Sequence, residues 1–70
     1  MPLSMSKIGE SRAIKKIIGK DEARRFLESL GFVIGGSVMV VSETAGNLII
    51  NVKNTRVAVS KTMANRIIVE

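Results

Sequence analysis

The stretch Leu27-Glu28-Ser29-Leu30-Gly31-Phe32 stops a helix, and in a short chain the place where a helix stops limits what the remaining residues can build. Upstream of it, Ala23, Phe26, Leu27 and Leu30 recur at i, i+3, i+4 and i+7 as one apolar stripe. Glu22, Arg24, Arg25, Glu28 and Ser29 fill the polar positions between them. With Leu30 as C-cap, Gly31 falls at C′, where the backbone turns left-handed and a residue without Cβ does so cheaply. Phe32 at C″ then folds back onto Leu27 at C3. Asp21 is read as the N-cap, and Glu22 adds negative charge where the free N–H groups of a first turn favour it. A helix so bounded is about 15 Å long, short of the roughly 12–15 residues at which an isolated helix becomes even marginal in water. It has to dock on something, and the rest of the chain offers only strands.

Ser11 to Ile18 places Ala13, Ile14, Ile17 and Ile18 around Lys15-Lys16. The β-branched content favours a strand, and the imperfect alternation predicts a bend or bulge inside it. After the helix, Ser37 to Thr44 offers Val38 and Val40 to one face and Met39, Val41 and Glu43 to the other. Ala45-Gly46-Asn47 is a tight connection. Beyond it Leu48, Ile50 and Val52 alternate with Ile49, Asn51 and Lys53, and Asn54-Thr55 turns the chain once more before Arg56 to Val59. Ser60 is suited to cap a single helical turn, Lys61 to Asn65, that presents Met63 and Ala64 inward before Ile67-Ile68-Val69 makes a last strand. Leu3 to Glu10 is an irregular lead-in, with Leu3, Met5 and Ile8 expected to touch the core and Gly9 to turn the chain. The expected fold class is mainly β. Five short strands curl into a small, partly open barrel, with the helix between strands one and two and the helical turn before the last strand.

Seventy residues make one domain, 1–70, with one small core. Cysteine is absent, so stability must come from aliphatic packing, for which the 46% apolar content suffices. The longest apolar run, Val38 to Val41, is four residues, far from the ~20 that span a bilayer. Met1 to Ile8 has no continuous apolar segment of the secretory kind, so a cytoplasmic location is expected.

The residue inventory argues against catalysis. There is no histidine and no cysteine, and of the six carboxylates only Asp21 and Glu22 are adjacent, at a helix start where they have an electrostatic role already. Gly31, Gly35 and Gly36 follow a helix and precede a strand, the reverse of a phosphate-binding loop. Metal sites of the iron, zinc or copper kind draw on His, Cys and clustered carboxylates. Asp21, Glu22 and Glu43 read instead as caps and solvated charges, so neither a metal nor a cofactor is expected. The net charge of +5 raises nucleic acid as a partner. The cations are scattered, however, with Lys15-Lys16 and Arg24-Arg25 the densest pairs. Phe26 and Phe32, the two aromatic rings, are both assigned to the core. A small basic barrel that binds nucleic acid is therefore the alternative, and a protein-binding module is preferred.

Taken together, Leu3-Ser4…Lys7-Ile8-Gly9-Glu10, then Arg24-Arg25-Phe26-Leu27…Leu30-Gly31-Phe32…Gly35…Val38…Val40, then Arg56-Val57-Ala58-Val59…Ala64…Ile67, resemble the FeoA family, small SH3-like proteins of ferrous-iron uptake. The resemblance covers nearly the whole chain, and Leu27, Leu30, Gly31, Phe32 and Gly35 carry its best motif. Ile8 and Ile34 depart from it where the family often has proline, Ser6 where it often has an apolar residue, and Asn54-Thr55 where a glycine is common. What the resemblance implies is a non-enzymatic cytosolic accessory that binds and modulates the FeoB-type membrane permease through its cytosolic GTPase part, recruited in that way to the inner face of the membrane. From exposure rather than motif, the expected contact surface is the solvent face of the helix, Arg24, Arg25, Glu28 and Ser29, with the hairpin tip Ala45, Gly46 and Asn47. Open strand edges add self-association as a further expectation.

Overall fold

The computed structural model describes all residues from Met1 to Glu70. Five antiparallel strands, β1 (Ser11–Ile17), β2 (Ser37–Thr44), β3 (Asn47–Val52), β4 (Thr55–Ser60) and β5 (Ile67–Val69), form one open sheet in the order β4-β3-β2-β1-β5. Helix α1 (Asp21–Ser29) connects β1 to β2, helix α2 (Lys61–Ala64) connects β4 to β5, and a 3-10 turn (Leu3–Met5) precedes β1. This is the mainly β, SH3-like architecture that the sequence predicts.

Strand β1 is the pivot of the sheet. Its first half pairs with β2, from Ser11↔Met39 to Ala13↔Ser37, and its second half with β5, from Ile14↔Val69 to Ile17↔Ile67. The register shifts between Ile14 and Lys16, so the bulge falls at the lysine pair that interrupts the alternation. Ile14 is buried while Lys15 and Lys16 are both exposed. A second shift, between Val40 and Ser42 against β3, has no such mark in the sequence, because Val41 simply prolongs the apolar run. The two bulges bend the sheet so that it encloses its own apolar face. Beyond β5 the chain start continues the sheet, with a bridge Pro2↔Ile68 and the Val69 N–H donating to the Met1 carbonyl at 2.7 Å.

The enclosed core consists of 13 residues, all apolar, with no polar or charged side chain among them. Alternate positions supply most of it: Val38 and Val40 from β2, Leu48, Ile50 and Val52 from β3, and Ile67 and Val69 from β5. Ile14 and Val59 complete the strand contributions, Leu3 comes from the lead-in and Ala64 from α2, and α1 adds Leu27 with Phe32 just beyond it. Burying each large side chain contributes about 1.5–3 kcal/mol, so packing rather than helix propensity holds α1 in place.

The helix stop forms as the residue types dictate. Gly31 has φ +107°, its N–H donates to the Glu28 carbonyl at 2.9 Å, and the Phe32 N–H donates to the Leu27 carbonyl at 3.1 Å. These are the two bonds of a Schellman motif, with Leu30 as C-cap. At the other end the expectation fails. Lys20 (φ −71°, ψ 159°) occupies the N-cap and no side chain closes the helix, so Asp21 is the first helical residue rather than the cap. Gly19, at φ +135°, turns the chain one residue early. Both carboxylates still lie in the first turn, where the helix dipole favours them. Helix α2 is capped as expected, the Met63 N–H donating to Ser60 Oγ at 3.2 Å.

Other differences are local. Met5 and Ile8 are 70% and 60% exposed, so only Leu3 of the lead-in enters the core. The Gly9 N–H is drawn to the Val40 carbonyl (2.9 Å), which leaves Ile8 outside. Strand β1 ends at Ile17, and Ile18 is 48% exposed although its N–H still bonds the Arg66 carbonyl. The second hairpin turns at Lys53-Asn54 rather than Asn54-Thr55, with φ positive at both residues as in a two-residue I′ turn. Ala45 and Gly46 make the same kind of turn between β2 and β3, and α2 ends at Ala64, one residue short of the expected Asn65.

Candidate interaction surface

The polar face of α1 is as open as its sequence implies. Arg24, Arg25, Glu28 and Ser29 are all exposed, and the two ion pairs of the molecule, Arg12–Glu10 at 3.2 Å and Lys61–Glu43, involve none of them. Ser29 Oγ donates to the Phe26 carbonyl at 2.6 Å and so is engaged with its own helix. The two arginines have no protein partner and are free to meet an outside acceptor.

The hairpin tip Ala45, Gly46 and Asn47 is exposed as well, but it is fastened: the Gly46 carbonyl accepts the Lys61 N–H at 3.0 Å, and Glu43 pairs with the Lys61 ammonium. These bonds tie the tip to α2, and no ion pair joins it to α1.

A third feature escaped the sequence. Phe26, assigned to the core with its stripe, is 51% exposed, and only Leu27 of α1 is fully buried. The phenylalanine instead floors a groove of about 770 Å³ lined by Gly19, Lys20, Glu22, Ala23, Met63 and Arg66 along with Phe26 itself. Periodicity cannot separate Phe26 from Leu27, since both belong to the same stripe. What separates them is which flank of α1 meets the core, a tertiary contact that the stripe does not record. A smaller depression is lined mainly by polar residues, among them Ser11, Ser37, Asn51 and Lys53, with Ser11 Oγ and Ser37 Oγ 2.7 Å apart.

No three carboxylates converge anywhere on the molecule, and no helix is long and apolar enough to cross a membrane. The FeoA domain matches the chain over residues 1–70, its full length. The chain belongs to the FeoA family. Among proteins of that name, an Fe(2+) transport protein A of Methanocaldococcus jannaschii is 35% identical over 69 residues, which are 99% of this chain and 84% of that protein. The crystal structure of an iron uptake regulatory protein, FeoA, superposes with a TM-score of 0.91 at 31% identity, covering 99% of this chain and 93% of the other. The FeoA of Stenotrophomonas maltophilia, crystallised in complex with zinc and described as a procaryotic SH3 domain protein, gives a TM-score of 0.87 at 29% identity over 100% and 89% of the two chains. FeoA is an accessory family of ferrous-iron transport and is not known as an enzyme family.

Proposed function

We propose that this member of the FeoA family acts in the cytosol as a non-enzymatic accessory of ferrous-iron uptake, binding the cytosolic GTPase part of the FeoB-type permease and modulating transport through that contact. Membership over residues 1–70 carries the proposal, and the unpaired cations of α1 support it. A chain with no histidine, no cysteine and no carboxylate cluster has contact as its means of output. Recruitment to the inner face of the membrane follows from the contact, since the permease is the membrane component.

The solvent face of α1, Arg24, Arg25, Glu28 and Ser29, with the tip Ala45–Asn47, is the surface assigned to that contact. Reversing Arg24 and Arg25 together to Glu tests it. Both side chains are exposed, and substitutions at such positions usually change stability by less than ~0.5 kcal/mol. The double variant should fold with a nearly unchanged thermal midpoint and lose co-purification with the permease's cytosolic part. A folded variant that co-purifies as well as the parent moves the contact off these two arginines, to the hairpin tip, a strand edge or another flank of α1.

A further inference from the structure

The groove beside Phe26 is used neither by the core nor by the polar face of α1. Its floor is apolar, made of the exposed ring of Phe26 with Ala23 and the half-buried Met63. Its rim carries Lys20 and Arg66 against the single carboxylate of Glu22, and none of the three belongs to an ion pair. The guanidinium of Arg66 lies over Gly19, close enough that a Cβ at residue 19 would stand 2.7 Å from Nη1. Arg66 Nε is buried without a hydrogen-bond partner.

The occupant can be narrowed by shape and by charge. Sites that hold a small molecule bury some 70–90% of its surface. Seven residues lining one open side cannot do so, whereas a macromolecular partner brings the missing wall with it. A second copy of this chain would bring 11 cations against 6 anions to a rim already positive, so like charge disfavours self-association here. A nucleic-acid strand would find a single ring to stack on, where strand-binding surfaces use several. A peptide segment with an apolar side chain beside a carboxylate satisfies both floor and rim.

We infer that the groove receives such an acidic, apolar segment of the permease's cytosolic part. Its large side chain covers Phe26 and Met63, and the neighbouring carboxylate accepts from Arg66 and Lys20. This rests on the permease being the partner, as proposed above. The test titrates the purified cytosolic part of the permease with the full chain and with Phe26→Ala and Arg66→Gln, thermal midpoints being recorded alongside. Phe26→Ala is expected to weaken binding at least tenfold, and Arg66→Gln to weaken it severalfold and flatten its dependence on salt. Amide shifts of the labelled parent chain on binding should centre on Gly19, Ala23, Phe26, Met63 and Arg66. Variants that fold and bind like the parent, or shifts centred on Ala45–Asn47, overturn the groove while leaving the permease as partner. Absence of any saturable binding by the parent chain overturns both.

Discussion

Gly31 shows how far a single residue can be argued from sequence. Its place after Leu30 and before Phe32 predicts a left-handed backbone, and the observed φ of +107° agrees. A Cβ there would meet Val52 and Lys53 at 3.5 Å, an ordinary contact, so the penalty for a side chain comes from the backbone rather than from crowding. Gly31→Val is expected to destabilise the fold by roughly 1–2 kcal/mol, read as a lower denaturation midpoint in urea. An unchanged midpoint would mean that the backbone relaxes without cost. Phe26 marks the opposite case. Its pattern is that of Leu27, and only the packing of α1 in the fold decides that one is buried and the other is not. Arg66 was equally illegible, because its position over Gly19 depends on β1 and β5 meeting, a contact between residues far apart in the chain.

Elements were legible where local chemistry specifies them. The alternation in β2 and β3 fixed which valines and leucines face inward, and Ser60 announced α2 by its capping hydroxyl. Turn positions and the second bulge were less so, because each depends on the register of a neighbouring strand that one segment does not record. Lys53-Asn54 rather than Asn54-Thr55 became the turn because Val52 pairs with Thr55. Replacing Ser60 with Ala removes the acceptor of the Met63 N–H and should cost about 1 kcal/mol, measurable in the same denaturation series. Loss of a few tenths or less would show that water replaces the hydroxyl. Helix α1 is held differently, by Leu27 as its one fully buried side chain. Leu27→Ala should cost ~2–5 kcal/mol and raise amide hydrogen exchange in α1 beyond that of β2 and β3. Equal acceleration across the molecule would mean that α1 and the sheet open as one unit.

At the scale of the whole molecule, two properties decide what the chain can do. Its core is entirely apolar, with no charged side chain among the buried residues. Its surface carries an excess of five positive charges, spread widely enough that no single stripe dominates. The fold class, the order of elements and the family were legible because they depend on patterns spread over the whole length. The exposure of Arg24, Arg25 and the hairpin tip was legible too, whereas the groove beside Phe26 was not, since it depends on how distant segments meet. The central claim, that the chain serves iron uptake through the permease, is tested most directly by ferrous-iron uptake in two sets of cells. One set lacks its own small accessory and keeps the permease; the other lacks both. Expressing this chain is expected to restore uptake in the first set and to leave the second unchanged. Restoration without the permease, or no restoration in the first set by a chain shown to be folded and to match the permease of its own source, would contradict it.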